Sequence, residues 1–228
     1  NWEFSWIVLR KDLADSGKVK TIADLKGMKI AIPSTGSVGD MTVQKMLQDA
    51  GVKPGEVEVV VIPPADQAAA LANGAIAASY TPEPYIAQGV QQGFSVKWLP
   101  NSKTSPDNTA QNALIVFGSA LLKDQDLARR WLVAYLKGAR DYLKAFGVKE
   151  GRQDIVNILV KYTTVKDPKL YDVMEMPYLD PNGQPNMNTL EDQYKWFAEK
   201  GLYTGKKTLK DIIDLSHMEY AVQKLGKQ

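Results

Sequence analysis

His217 is the only histidine in the sequence and cysteine is absent, so very few nucleophile–base pairs can be assembled. A Ser-His-Asp relay would need His217, which stands beside Asp214 and Glu219 on an expected terminal helix; there a surface position is the simpler reading. Without cysteine there are no disulfides and no thiolate metal sites. No residues carry metal-ligand spacing, and neither a phosphate-binding P-loop nor Gly-x-Gly-x-x-Gly occurs. Carboxylates are spread along the chain and no pair is set apart for acid–base work. The expectation is a protein without catalysis, metal or cofactor.

Binding has better support. Pro33-Ser34-Thr35-Gly36-Ser37 follows a short apolar strand and precedes a helix, which puts hydroxyls and unpaired backbone N–H groups at a positive helix end. Ser34, Thr35, Gly36 and Ser37 are therefore candidates to cradle an anionic or polar group. An equal reading is a capped helix that binds nothing. A second loop, Ser79-Tyr80-Thr81-Pro82-Glu83-Pro84-Tyr85, also follows a strand and so opens on the same sheet edge. Tyr80, Thr81 and Glu83 would supply an aromatic wall, a hydroxyl and a carboxylate. The simpler alternative is a Pro-locked turn with Tyr80 packed as core.

The elements that must position these loops alternate. Strands are expected at 4–9, 28–32, 57–62, 76–80 and 94–99, and helices around Val43, Met46, Leu47 and Ala50, after Asp66 as N-cap, and at 85–92. Short connections between them predict a three-layer α/β lobe with a mainly parallel sheet. Residues 101–111 read as a polar loop and 112–118 as one more strand. Beyond it the pattern turns helical: Leu127, Trp131, Ala134, Tyr135 and Tyr142 share one face, and Leu190, Tyr194, Phe197, Ala198 and Gly201 another. The divisions expected are 1–27, a partial first lobe with a hinge strand; 28–111, the α/β lobe; and 112–228, a hinge strand with C-terminal helices.

The formal charge of +2 over 228 residues, with signs interspersed, announces no nucleic-acid face. No apolar run approaches the roughly 18 to 20 residues that span a bilayer. The opening Asn1-Trp2-Glu3-Phe4 runs straight into a strand, like the middle of a fold, so the real start is expected upstream.

Taken together, Ile22-Ala23-Asp24-Leu25-Lys26-Gly27-Met28-Lys29-Ile30-Ala31 with the 33–37 loop, and 63–74 with Thr81-Pro82-Glu83-Pro84, resemble the nitrate/sulfonate/taurine-binding family of ABC importer proteins. Leu179-Asp180-Pro181-Asn182-Gly183 and Trp196-Phe197-Ala198-Glu199-Lys200-Gly201 resemble its pyrimidine-precursor-binding, thiamine-synthesis-like branch. Ala77 stands where that family usually carries an acidic residue, and the strands that open its first lobe are missing before Asn1.

The resemblance implies a type II periplasmic-binding-protein-like α/β fold with one complete lobe and a largely helical part of the other, closing by hinge motion. It implies a periplasmic substrate-binding component that hands a small polar or anionic solute to a membrane permease. Asn112 would lie at the hinge, and Tyr178 would reach in from the C-terminal part. The rival readings are a ligand-sensing domain, a pyrimidine-synthesis enzyme on the same fold and a non-binding remnant. With the first strands missing, the faces of Leu127, Trp131 and Tyr135 and of Leu190, Tyr194 and Phe197 are expected to lack cover, so the chain should self-associate or pack its helices elsewhere.

Overall fold

The computed structural model describes residues 3–104 and 115–228. Its first part is a five-stranded sheet in the order β3-β2-β4-β1-β5, made of β1 (Ser5–Arg10), β2 (Lys29–Ile32), β3 (Glu58–Val61), β4 (Ala78–Pro82) and β5 (Ser95–Pro100). β2 pairs in parallel with β3 and β4, whereas β1 lies antiparallel between β4 and β5. β4 and β5 therefore run the same way, and β1 alone opposes the other four.

β1 was expected as a crossing strand ahead of the lobe, yet it is among the most buried strands of the sheet. Ile7, Val8 and Leu9 are at most 1% exposed. Successive side chains alternate faces, so three buried residues in a row need a layer on each side. Ile7 and Leu9 join Ile30, Ile32 and Tyr80 beneath α1 (Lys11–Asp15), the 3₁₀ turn Ile22–Leu25 and α2 (Val38–Asp49). Val8 joins Ala31 beneath α3 (Pro64–Ala72) and α4 (Tyr85–Gln91) on the opposite face. Ala77, at the position the family fills with an acid, is buried in the first of these clusters.

Two local expectations change. α3 begins at Pro64, with Pro63 as N-cap, so Asp66 sits inside the first turn and its N–H donates to the Pro63 carbonyl at 2.9 Å. Proline suits that position because its missing N–H would have been unpaired there. Residues 115–118 belong to no strand, and residues 112–114 of the expected strand lie outside the described residues.

The second part is helical: α5 (Ser119–Lys123), α6 (Gln125–Gly147), α7 (Arg152–Tyr162), α8 (Met187–Glu199), α9 (Leu209–Ile212) and α10 (Ser216–Leu225). α6 buries Ala128, Leu132, Leu136, Ala139, Arg140, Tyr142 and Ala145; of the expected face Tyr142 is buried, whereas Leu127, Trp131 and Ala134 yield to a stripe one residue further on. Leu132 and Leu136 pack on Met218 and Ala221 of α10, and Tyr142 packs on Val156 of α7. Leu127 and Trp131 are each 42% exposed, while Leu190 is buried and Tyr194 and Phe197 are half-buried. Buried Arg140 donates to the carbonyls of Pro181 at 2.8 Å and Gly226 at 2.6 Å, tying the 180–183 turn to the end of α10.

Candidate functional site

The 33–37 loop lies where β2 ends and α2 begins. Ser37 is the N-cap of α2; its hydroxyl accepts the Asp40 N–H at 3.2 Å and donates to the Ser34 carbonyl at 2.7 Å. Asp40, buried at the third helical position, accepts the Gly36 N–H at 2.8 Å and the Gln44 amide at 2.7 Å. An internal carboxylate thus already stands at this helix end, where the dipole favours negative charge. Ser34 and Thr35 are exposed, so their hydroxyls are the loop's outward-facing groups. Gly36 has φ +68°, and a Cβ there would meet the Leu202 side chain, which packs over the loop from beyond α8. That left-handed conformation and close neighbour both suit glycine.

The second loop divides. Tyr80 points into the core: it is 7% exposed and hydrogen-bonded to Ser5. Burial pushes its hydroxyl up to about 12, against the Ser5 bond and with a small rise from the Glu3 charge. Its ring lies so close to α2 that a Cβ on Gly39 would fall 2.6 Å from it. Thr81 faces the other layer, where its hydroxyl meets Ser79 Oγ at 2.7 Å and Gln67 Oε1 at 2.8 Å. Gln67 passes the chain to the Ile62 carbonyl at 2.9 Å. Tyr80 and Thr81 are neighbours on one strand, and the pleat sends them to opposite faces.

Glu83 is covered rather than open. Its carboxylate accepts the Ala87 N–H of α4 at 2.9 Å and the Glu175 N–H at 3.2 Å, and lies 3.6 Å from Lys97 Nζ. Burial holds this carboxyl above the usual carboxylate range; the Ala87 and Glu175 N–H groups and Lys97 pull it down, and the Glu175 charge adds to the rise. The Glu175 carboxylate in turn accepts Lys97 Nζ at 3.0 Å and the Trp6 indole N–H at 3.2 Å. Trp6, Lys97 and Glu175 are residues the sequence reading missed. The signal that would have found them is the strand order, in which β1 lies between β4 and β5, and that order is not written in the spacing.

Tyr178 is 52% exposed and three residues beyond Glu175. Asn112 lies outside the described residues. His217 is not on the surface: it is 7% exposed and stacked on Phe117 with ring centroids 6.1 Å apart. Its Nδ1 has no hydrogen-bond partner among the described residues, so no carboxylate among them holds that nitrogen. Two cavities, of about 280 Å³ beside Phe146, Arg152 and Tyr171 and about 590 Å³ beside Arg10, Asn73 and Phe94, lie away from the predicted residues.

The β2–α2 loop and the β4–α4 loop thus open on one carboxyl edge of the sheet. The sequence profile described as NMT1/THI5 like matches residues 7–145, more than half of the chain. The chain belongs to that family. A provisionally named binding protein of Brucella abortus (strain 2308) is 29% identical over 152 residues, which are 66% of this chain and 46% of that protein. This chain thus spans about half the length of the curated relatives it matches. Among solved structures, the periplasmic nitrate-binding protein NrtA from Synechocystis PCC 6803 superposes with a TM-score of 0.73 at 19% identity, over 99% of this chain and 66% of that one. The periplasmic aliphatic sulphonate binding protein SsuA from Escherichia coli gives 0.69 at 20% identity, over 96% and 72%. The fold of this family member is that of the periplasmic binding proteins. Among its described residues, no helix is long and apolar enough to cross a membrane.

Proposed function

We propose that this chain is the solute-capturing region of an extracytoplasmic binding protein that serves an ABC importer. It takes a small polar or anionic organic solute, such as a sulfonate, nitrate, taurine or a pyrimidine, and leaves it chemically unchanged. The partner is the importer's membrane permease, and self-association through the exposed α6 face belongs to the same reading. The carrying observation is the shared carboxyl edge of β2 and β4, where ligands collect in open α/β sheets. On this reading Ser34 and Thr35 meet the solute, Gly36 and Ser37 shape the loop, Tyr80 and Thr81 brace it from inside, and Tyr178 approaches from the helical part.

Calorimetry against nitrate, taurine, alkanesulfonates and pyrimidines tests this. One class should bind and be recovered intact. Thr35→Ala should weaken it by roughly ten- to hundred-fold, the loss of one hydrogen bond to a charged group. Ser37→Ala should lower stability by about 1 kcal/mol as a lost cap. Unchanged affinity in both variants would reduce the loop to a helix start, and reproducible product formation would overturn the reading altogether.

A further inference from the structure

Residues 174–177 run without helix or strand after the 3₁₀ turn Pro168–Asp172, and they face two ways. Met176 is buried with Tyr142, Val156 and Tyr171, Met174 packs on the same cluster, and the Pro177 carbonyl accepts the Tyr142 hydroxyl at 2.7 Å. Glu175, between them, turns to the sheet, as alternate residues of an extended chain do. There its carboxylate and its N–H together engage Lys97, Trp6 and Glu83, which come from β5, from β1 and from just beyond β4. The Lys97 ammonium also lies 5.9 Å from the Trp6 ring centroid.

We propose that residues 174–177 are a latch between the helices and the sheet, held shut by Glu175 and able to open locally while both parts stay folded. The chemistry fits a separable contact. A single ammonium serves two carboxylates, and the Glu175 and Lys97 side chains keep 20% and 25% of their exposure, so water can take over their hydrogen bonds. The Glu83 side chain, by contrast, is 0% exposed beneath the latch. Opening uncovers a carboxylate, an ammonium and an indole together, on the carboxyl edge that the 33–37 loop shares. The latch is a property of the fold, goes beyond the capture reading and stands independently of it.

Hydrogen exchange on the whole chain, followed by mass spectrometry, decides this. Under native conditions the wild-type amides at 173–178 should open at a lower free energy than those of Ile7, Val8 and Leu9. Glu175→Gln keeps the size and removes the charge; it should speed exchange at 173–178 by about ten-fold or more and leave β1 and β4 unchanged. Lys97→Met should act in the same direction. The indole N–H resonance of Trp6, assigned with Trp6→Phe, should move in Glu175→Gln. The proposal is overturned if residues 173–178 exchange at the wild-type rate in both variants, or if they and β1 open only together. The wild-type comparison gives its answer even where a variant fails to fold.

Discussion

The sheet part and the helical part of this chain use the same apolar residue types and bury them differently. In the sheet part Ile7, Leu9, Leu25, Ile30 and Ile86 are at most 1% exposed, with helices on both faces. In the helical part Leu136 reaches that level, while Leu122, Leu127, Trp131 and Ile158 remain between 42% and 53% exposed. A strand has two faces, and pairing on both sides leaves little choice of which residues go in. A helix can be rotated by one residue and still look amphipathic, so its neighbours choose the buried stripe. α6 demonstrates this: α10 selects Leu132 and Leu136 and leaves Trp131 stacked on Tyr135 at 5.7 Å at the surface.

That contrast breaks most easily at its extremes. Ile7→Ala should cost about 2–5 kcal/mol in urea unfolding, whereas Trp131→Ala, although it removes more atoms, should cost about 1 kcal/mol or less. A Trp131→Ala loss as large as that of Ile7→Ala would mean that the α6 face is covered in solution. Next in size, Gly39→Ala drives a methyl group against the Tyr80 ring and Pro33, and overpacking there should cost about 1–3 kcal/mol.

The Glu83 contact sharpens the comparison through pH. Its folded-state value is raised, so the stability linked to its proton is complete below the ordinary value of 4.5 and fades as pH climbs through the folded one. Wild-type stability minus that of Glu83→Gln should therefore fall as pH rises above 4.5, and a rising difference would reverse the assignment of burial as the dominant cause. Smallest of all, Arg130→Ala removes an exposed pair with Asp126 four residues earlier on α6 and should change stability by about 0.3–0.5 kcal/mol.

The candidate site was legible as two loops and illegible as a surface. The end of β2 and the start of α2 follow from apolar residues giving way to Ser, Thr and Gly, and Ser37 caps the helix in a way local chemistry can specify. Which of Tyr80, Thr81 and Glu83 faces outward was another matter. The pleat alone forbids Tyr80 and Thr81 from sharing a wall, but the burial of both depends on Gly39 and Gln67, which are distant in sequence. His217 shows the same limit, since its expected surface position is cancelled by Phe117, a hundred residues away.

The features legible in the chain alone are local and periodic: alternating strands and helices, the loops between them, and an ordered set of short motifs that marks the family. These features rest on hydrogen bonds and turn preferences within a few residues of each other, so the chain states them wherever it is read. Long-range packing settles that β1 enters the sheet antiparallel, that α6 presents Leu132 rather than Trp131 to its neighbours, and that Glu83 is buried beneath Glu175. Each of those outcomes depends on which distant surface comes to lie against a residue. Burial is a property of the pair, and one member of the pair cannot announce it.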